Sequence, residues 1–365
     1  MLDDTGQQTL FDSIHNNWIE PELQRRRNDG SLPQDFKIFS CLVRLPRDHS
    51  AIVEFNNEIS WLAETKPANG LEYTIGQEVY LAQVEHIRTV EPPTFEGNRV
   101  AFIFLFWNGS SYNILFDFTP NSIDSAYTDT CSIDWKYGEI IAGYLNAVLE
   151  EYSARNCDVI QSTLATIGLW TVPCLLPYPL SAICDLCNAT KLSEARALLI
   201  SHCQMSFLSH RISGWTAVVP FSDRKSLFSE ALAAHSIAAY SLTIHALLPH
   251  IEGVVTDWIY TQVPSTDVPW RQESKTAKLR DIITTGKDSS FANRRSTETA
   301  IKFILDGPML STFNNWQSAN NGPFPNRHVL GHGKYDASVY TEENSIKAFL
   351  MLDTLYVMMS EHKSP

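Results

Sequence analysis

The period of the hydrophobic pattern changes near Pro120, and this change constrains the fold more than any other feature of the sequence. Before it, short segments rich in β-branched and aromatic residues are separated by turn-forming Asn-Gly clusters. After it, apolar residues recur at helical spacing almost to the end of the chain. The pattern therefore predicts an α+β fold, with an N-terminal, mostly antiparallel β-sheet domain followed by an all-α region.

Individual elements can be placed by the same criteria. Four or five strands are predicted among residues 36–45, 51–55, 77–84, 100–107 and 112–118. An amphipathic stripe predicts a helix near the N-terminus, over residues 1–25, with Pro21 closing it. Later helices are predicted over residues 136–152, 178–188, 192–207, 224–260 and from 342 onward, where Thr341 is the expected N-cap. These elements divide the chain into regions 1–125, 126–222 and 223–365.

Composition limits the function classes. The net charge of −13 argues against an indiscriminate nucleic-acid binder, which is usually basic, but it leaves room for a local basic site. Seven scattered cysteines, an odd number, indicate reduced thiols. Because the first residues also lack a signal-peptide pattern, we expect a cytoplasmic protein. Residues 159–184 carry no charge, but three prolines interrupt them, which favours a broken helical hairpin over a membrane span.

A reactive cluster lies near the C-terminus, between Pro325 and Gly333, where Arg327, His328 and His332 fall within six residues. Arginine keeps its charge at any working pH, and its planar donors suit a phosphate group. Histidine titrates near neutrality, so it can take up and return a proton within one turnover. An arginine and a histidine beside an RNA phosphodiester can therefore promote its cleavage without a metal ion.

The segment Asn326-Arg327-His328-x-x-x-His332-Gly333, followed by Tyr340-Thr341-x-x-Asn344 and an apolar terminal helix, resembles the ribonuclease motif of the HEPN superfamily. This resemblance covers roughly the last third of the chain. It implies a helical bundle, a homodimer with an active site built from two copies of the motif, and RNA as the substrate. Arg327 and His332 would be catalytic, with His328 in the polar position after the arginine and Asn326 beside it. A toxin or phage-defence role, with an antitoxin or other regulatory partner, is also implied.

Two further groups of residues are candidates for the same site. The element Pro249-x-Ile-Glu252-Gly253 is similar to one found upstream of the motif in the same family, and Glu252 could orient Arg327 or His332. A basic neighbourhood lies between them, and we expect it to contact an RNA backbone unless it is only a solvated helix face. Its candidate RNA-binding residues are Arg271, Lys275, Lys278, Arg294 and Arg295.

Other interpretations of these residues stay open. On a regular helix, residues five apart diverge by about 140°, so Arg327 and His332 would not share a face. His328 and His332, four apart, would share one, which is a spacing that can hold a metal ion. The arginine can also serve only to brace the last helix. Cys184 and Cys187 with His202 and Cys203 form a weak zinc pattern that lacks a second spaced pair. We therefore expect no metal and no cofactor.

Two function hypotheses follow. The first is a metal-independent HEPN-type endoribonuclease. The alternative is a non-catalytic sensor or interaction protein, in which the sheet domain binds a partner or small ligand and the helical domain only dimerises. The predicted sheet, whose strands carry few charged residues, and the acidic composition motivate this alternative.

Overall fold

The protein has an α+β fold in which antiparallel sheets precede a helical region. The structure, a computed structural model, describes residues 4–32, 34, 36–67, 73–79, 81, 84–108, 111–118, 133–151, 157–176, 179–264, 269, 272–285, 300–304, 307, 325–333 and 337–361. Two compact units are present. Unit 1 comprises residues 1–66 and 86–147, and unit 2 comprises residues 67–85 and 148–365.

The strands are β1 (Ser40–Leu45), β2 (Ile52–Phe55), β3 (Ala63–Pro67), β4 (Val84–Val90), β5 (Thr94–Phe95), β6 (Asn98–Arg99), β7 (Ala101–Asn108) and β8 (Ser111–Asp117). A four-stranded sheet has the order β2-β1-β7-β8, and all its neighbouring strands are antiparallel. Strands β3 and β4 form one smaller sheet, and β5 and β6 form another. The prediction of a mostly antiparallel N-terminal sheet is confirmed.

Apolar side chains line both faces of the four-stranded sheet. On one face, Val43 and Ile103 pack against the N-terminal helices α1 (Asp4–Ile14) and α2 (Glu20–Asn28), which a π-helical turn at His15–Ile19 connects. On the other face, Phe104 meets Trp61 and Phe106 meets Tyr144 of helix α3 (Ile133–Glu151). Alternating residues of one strand point to opposite faces, so a strand buried on both sides needs a continuous apolar run, as β7 has.

Two predictions were wrong: the end of the N-terminal helix at Pro21 and the start of the strand over residues 77–84. Pro21 does not close the N-terminal helix, because the helical run continues through it: Pro21 lies in the first turn of α2, directly after the π-helical turn at His15–Ile19. The expected strand over 77–84 is absent at residues 77–79, and β4 begins only at Val84. A turn occupies the first part instead, with Gly76 at a φ of 80° and Gln77 N donating to Thr74 O over 3.0 Å.

Unit 2 is built from helices. They are α4 (Cys157–Ala165), α5 (Leu180–Asn188), α6 (Leu192–His202), α7 (Met205–Ser213), α8 (Val219–Ser222), α9 (Lys225–Ser236), α10 (Tyr240–Gln262), α11 (Gln272–Thr285), α12 (Arg327–Gly331) and α13 (Glu342–Glu361). Residues 300–304 are also helical. The single helix predicted over 224–260 is two helices, because the chain breaks at residues 237–239, where Ala238 has a φ of 57°. The loop predicted over 208–223 largely consists of α7 and α8.

The terminal helix α13 forms the centre of unit 2. Thr341 caps its start as predicted, since Thr341 Oγ1 accepts a hydrogen bond from Asn344 N at 3.2 Å. The helix is buried along most of its length and packs against α6, α7 and α10. It also buries polar groups: Asp353 accepts hydrogen bonds from Arg211 and from Trp215 Nε1, and Thr354 Oγ1 accepts one from Trp170 Nε1. These contacts fix the rotation of the helix.

The uncharged segment 159–184 is interrupted. Helix α4 ends at Ala165, Pro173 begins a short 3₁₀ turn, and α5 begins at Leu180. Across the described ranges of the chain, no helix combines the length and the apolar character needed to cross a bilayer.

His202 makes the stability of unit 2 sensitive to acid. Burial at the end of α6 lowers the pKa of this imidazole to about 4, so it is neutral in the fold and binds a proton readily only when unfolded. The pKa of His202 is lower in the folded state than in the unfolded state. Neutral His202 therefore contributes fully to the free energy of unfolding above about pH 6.5, and this contribution is lost as the pH falls towards 4. Between pH 7 and 4, we expect the wild type to lose about 3 kcal/mol more unfolding free energy than His202→Gln, measured by urea denaturation. Equal losses would contradict this role.

Candidate functional site

Asn326 and the turn after it determine how the motif begins. The side-chain oxygen of Asn326 accepts hydrogen bonds from the backbone N–H groups of His328 (2.9 Å) and Val329 (3.1 Å), so Asn326 is the N-cap of α12. The helix is short and ends at Gly331; Gly333 follows at a φ of 68°, a left-handed conformation that glycine adopts without strain. Asn326 is almost completely buried, and its side-chain oxygen holds the first turn of α12 in place.

The two histidines of the motif contact each other. The ring centroids of His328 and His332 lie 4.8 Å apart, and the ring planes are inclined by 73°. His332, at the C-cap, is exposed, whereas His328 is half-buried. The contact follows from their spacing of four residues, which places them one helical turn apart. The site therefore presents an exposed imidazole supported by a second one.

Arg327 points instead towards helix α10. Its Nη1 forms an ion pair with Oε2 of Glu252, a residue in the interior of α10. The other carboxylate oxygen of Glu252 pairs with Nζ of Lys275, on α11, at 3.0 Å. One carboxylate thus joins cations from two further helices, and the three side chains are 25%, 17% and 13% exposed for Arg327, Glu252 and Lys275. We call these three residues the ion-pair triad.

The ion-pair triad carries an excess of positive charge. Two cations meet one carboxylate, and burial lowers the pKa of Arg327 from its ordinary value. An arginine nevertheless stays protonated in a protein. Among the residues that the structure describes, the buried Nε of Arg327 has no hydrogen-bond partner. A buried donor without an acceptor is unfavourable, so this nitrogen adds to the cost of holding Arg327 against Glu252.

The residues around Glu252 pack α10 against Arg224. Pro249 lies inside the helix, and Gly253 leaves space for Arg224: a Cβ on Gly253 would lie 3.3 Å from Nη2 of that arginine. Arg224 forms an ion pair with Asp257 and approaches Nδ1 of His250 with its Nε at 3.3 Å. Burial, with Arg224 adding to it, lowers the pKa of His250. The Pro-x-Ile-Glu-Gly element thus has a packing role that the sequence does not reveal.

The basic neighbourhood is only partly described. Lys275 is directed at Glu252, and Lys278 lies on the same helix, with its Nζ 4.0 Å from Asp281. The other three candidates, Arg271, Arg294 and Arg295, lie outside the described residues. The contact that sequence reasoning missed is the one between Lys275 and Glu252, because no spacing rule relates residues on successive helices.

The described residues offer no ready metal site. In these parts of the chain, no group of three or more His, Cys, Asp or Glu side chains is placed to hold a metal ion. Cys184, Cys187 and Cys203, of the weak zinc pattern, are buried thiols that form no disulfide.

Comparisons with known proteins add no family. No family model matches the chain, and neither the curated proteins nor the solved structures include one that matches it. The resemblance to the HEPN superfamily therefore rests on the motif residues alone and stays a prediction.

Proposed function

We propose that the protein is a metal-independent endoribonuclease of the HEPN type. The observation that carries the proposal is the state of Arg327. Its Nη1 is anchored on Glu252, which also pairs with Lys275, and α12 carries a contacting pair of histidines beside it in the sequence. An anchored guanidinium in a cluster with excess positive charge, on the same short helix as two imidazoles, supplies the groups that phosphodiester cleavage needs.

The chemistry requires one proton acceptor, one proton donor and a positive charge. A histidine removes the proton of the 2′-hydroxyl, and the 2′-oxygen attacks the adjacent phosphorus. The P–O5′ bond breaks as the same histidine returns this proton to the 5′-oxygen, which leaves a 2′,3′-cyclic phosphate and a 5′-hydroxyl. We assign the proton transfer to His332, because it is the exposed histidine of the pair, and a supporting position to His328. Arg327 stabilises the charge that develops on the phosphorane.

Glu252 and Lys275 have a positioning role in this proposal. Glu252 orients Arg327, and Lys275 neutralises the other carboxylate oxygen, so that the guanidinium keeps a positive field towards the substrate. By the family resemblance, the protein acts as a homodimer, its second copy completes the site, and an antitoxin or another regulatory partner controls it as a toxin or phage-defence effector. Its scattered cysteines fit a reducing cytoplasm.

Cleavage of RNA in the presence of EDTA tests the proposal. We expect the wild-type chain to cut a single-stranded RNA, and Arg327→Ala to lower the rate by about 10²–10³, the cost of losing one charge-stabilising donor. Arg88→Ala is the matched control, because Arg88 is an exposed arginine of unit 1 whose partner is Glu64. An Arg327→Ala rate equal to that of the wild type would contradict the assigned chemistry, and so would a wild type that does not cut.

A second candidate is a non-catalytic sensor or interaction protein. The observation that favours it is again the ion pair between Arg327 and Glu252. Because Glu252 holds Arg327, and Asn326 caps a helix, the sole role of the motif in this candidate is to dock α12 onto α10. This candidate predicts that residues 1–125 capture a specific partner and that the whole chain turns over no RNA. RNA cleavage that depends on Arg327 would exclude it.

A further inference from the structure

We propose that His245 and Tyr340 form a stacking platform for a base of single-stranded RNA, next to the cleavage site. This inference deepens the proposed function and rests on it. The imidazole of His245, on α10, lies almost parallel to the ring of Tyr340, with centroids 5.3 Å apart and planes inclined by 21°. Tyr340 is half-buried, whereas His245 is exposed. The imidazole of His245 is therefore a solvent-exposed aromatic ring that stacks on Tyr340.

A hydrogen bond fixes the orientation of this imidazole. Nδ1 of His245 lies 2.7 Å from the carbonyl oxygen of Ser241. Because a carbonyl oxygen only accepts, Nδ1 carries the proton and donates it. The ring is therefore held from one side by a hydrogen bond and from another by Tyr340. A platform that is already ordered loses little side-chain entropy when a base stacks on it.

The platform and the ion-pair triad share one face of α10. His245 and Glu252 are seven residues apart, close to two full turns, so they lie on the same face at a distance of about 10 Å along the axis. That length corresponds to about three stacked nucleotides. The exposed residues Leu242 and Pro249 lie one turn to either side of His245. Along this face of α10, the exposed apolar residues beside His245 are followed by Glu252, on which Arg327 is anchored.

Single-stranded RNA is the occupant that fits both ends. Its phosphates are anionic and complement the positive excess of the triad, in which two cations share one carboxylate. Its unpaired bases can stack on an aromatic ring, which the bases of a duplex cannot do. The proposed platform would thus make His245 a specificity-determining residue that favours single strands.

Binding of a non-cleavable RNA tests the platform separately from the chemistry. The probe is a short single strand with 2′-O-methyl groups, which has no attacking hydroxyl. We expect His245→Ala to weaken binding about fivefold to a hundredfold, and His245→Phe to bind within about threefold of the wild type, because base stacking needs an aromatic ring and no particular nitrogen. With cleavable RNA, His245→Ala should raise KM and change kcat little. His210→Ala, at an exposed histidine of α7, is the control.

The outcomes separate the platform from the proposed function. If the wild type cuts RNA but His245→Ala binds the probe as tightly as the wild type, the platform is wrong and the nuclease stands. If Ala and Phe at this position weaken binding equally, stacking is excluded. If the wild type neither binds nor cuts RNA, both proposals fail. If His245 contributes to binding as expected but His332→Ala cuts like the wild type, the platform stands and the assigned chemistry fails.

Discussion

Replacing His332 with alanine is expected to reduce RNA cleavage by about 10²–10⁴, the usual contribution of a positioned acid–base group. The side chain is exposed at the C-cap of a one-turn helix, so its removal should leave the fold intact. We expect circular dichroism and the thermal midpoint of the variant to match those of the wild type. His328→Ala should have a smaller effect on the rate, because it removes only the ring that contacts His332.

His86→Ala is the matched control for this prediction, since His86 is an exposed histidine on β4 of the sheet region. It should cut RNA at the wild-type rate. If His332→Ala retained full activity while folding normally, proton transfer would have to be assigned to another group. If the His86 and His332 variants lost activity equally, the loss would not come from the motif.

Replacing Asp353 with alanine is expected to lower the free energy of unfolding by about 3–5 kcal/mol, because it leaves a buried arginine without its counter-ion. Arg211 and Asp353 are 7% and 2% exposed, and two nitrogens of Arg211, Nε and Nη2, donate to the carboxylate. Trp215 Nε1 donates to the same carboxylate over 2.9 Å, so a third donor is orphaned in the variant. Urea denaturation of the whole chain, monitored by a signal from unit 2, measures the loss of unfolding free energy.

The exposed pair Lys191 and Glu194 provides the control for the buried one. Its atoms are 3.3 Å apart and its side chains are 56% and 50% exposed, so Glu194→Ala should change the unfolding free energy by less than about 0.5 kcal/mol. The double variant Arg211→Met with Asp353→Leu should recover much of the stability lost in Asp353→Ala, because no unpaired charge stays buried. A loss below about 1 kcal/mol in Asp353→Ala would contradict a structural role for the pair.

The sequence predicts the class of the fold well because strand and helix periods are local properties. The residues of β1, β2, β7 and β8 carry their own β-branched and aromatic signature, and the terminal helix carries both its cap and its apolar face. Breaks are harder to predict. The chain turns at residues 237–239 without a glycine or a proline, because tertiary packing of α9 against α10 outweighs the helix propensity of its alanines.

Only part of the site could be predicted from the sequence, because most of its contacts join residues from different helices. The contact between His328 and His332 follows from their spacing on one short helix. Of the ion-pair triad, the family resemblance suggests that Glu252 meets Arg327, but nothing in the sequence indicates that Lys275 joins them, because the three residues come from three helices. The stack of His245 on Tyr340 likewise joins residues that no local rule relates. Chemistry-bearing residues can thus be found in the sequence, whereas their partners need the fold.

The most direct test of the proposed nuclease is the chemical identity of the ends that the wild-type chain produces from RNA in EDTA. Cleavage by the 2′-hydroxyl, with Arg327 and His332 in the roles given above, predicts fragments that carry 2′,3′-cyclic phosphates and 5′-hydroxyls. Fragments with 3′-hydroxyls and 5′-phosphates would show that water attacks instead, and they would contradict the account.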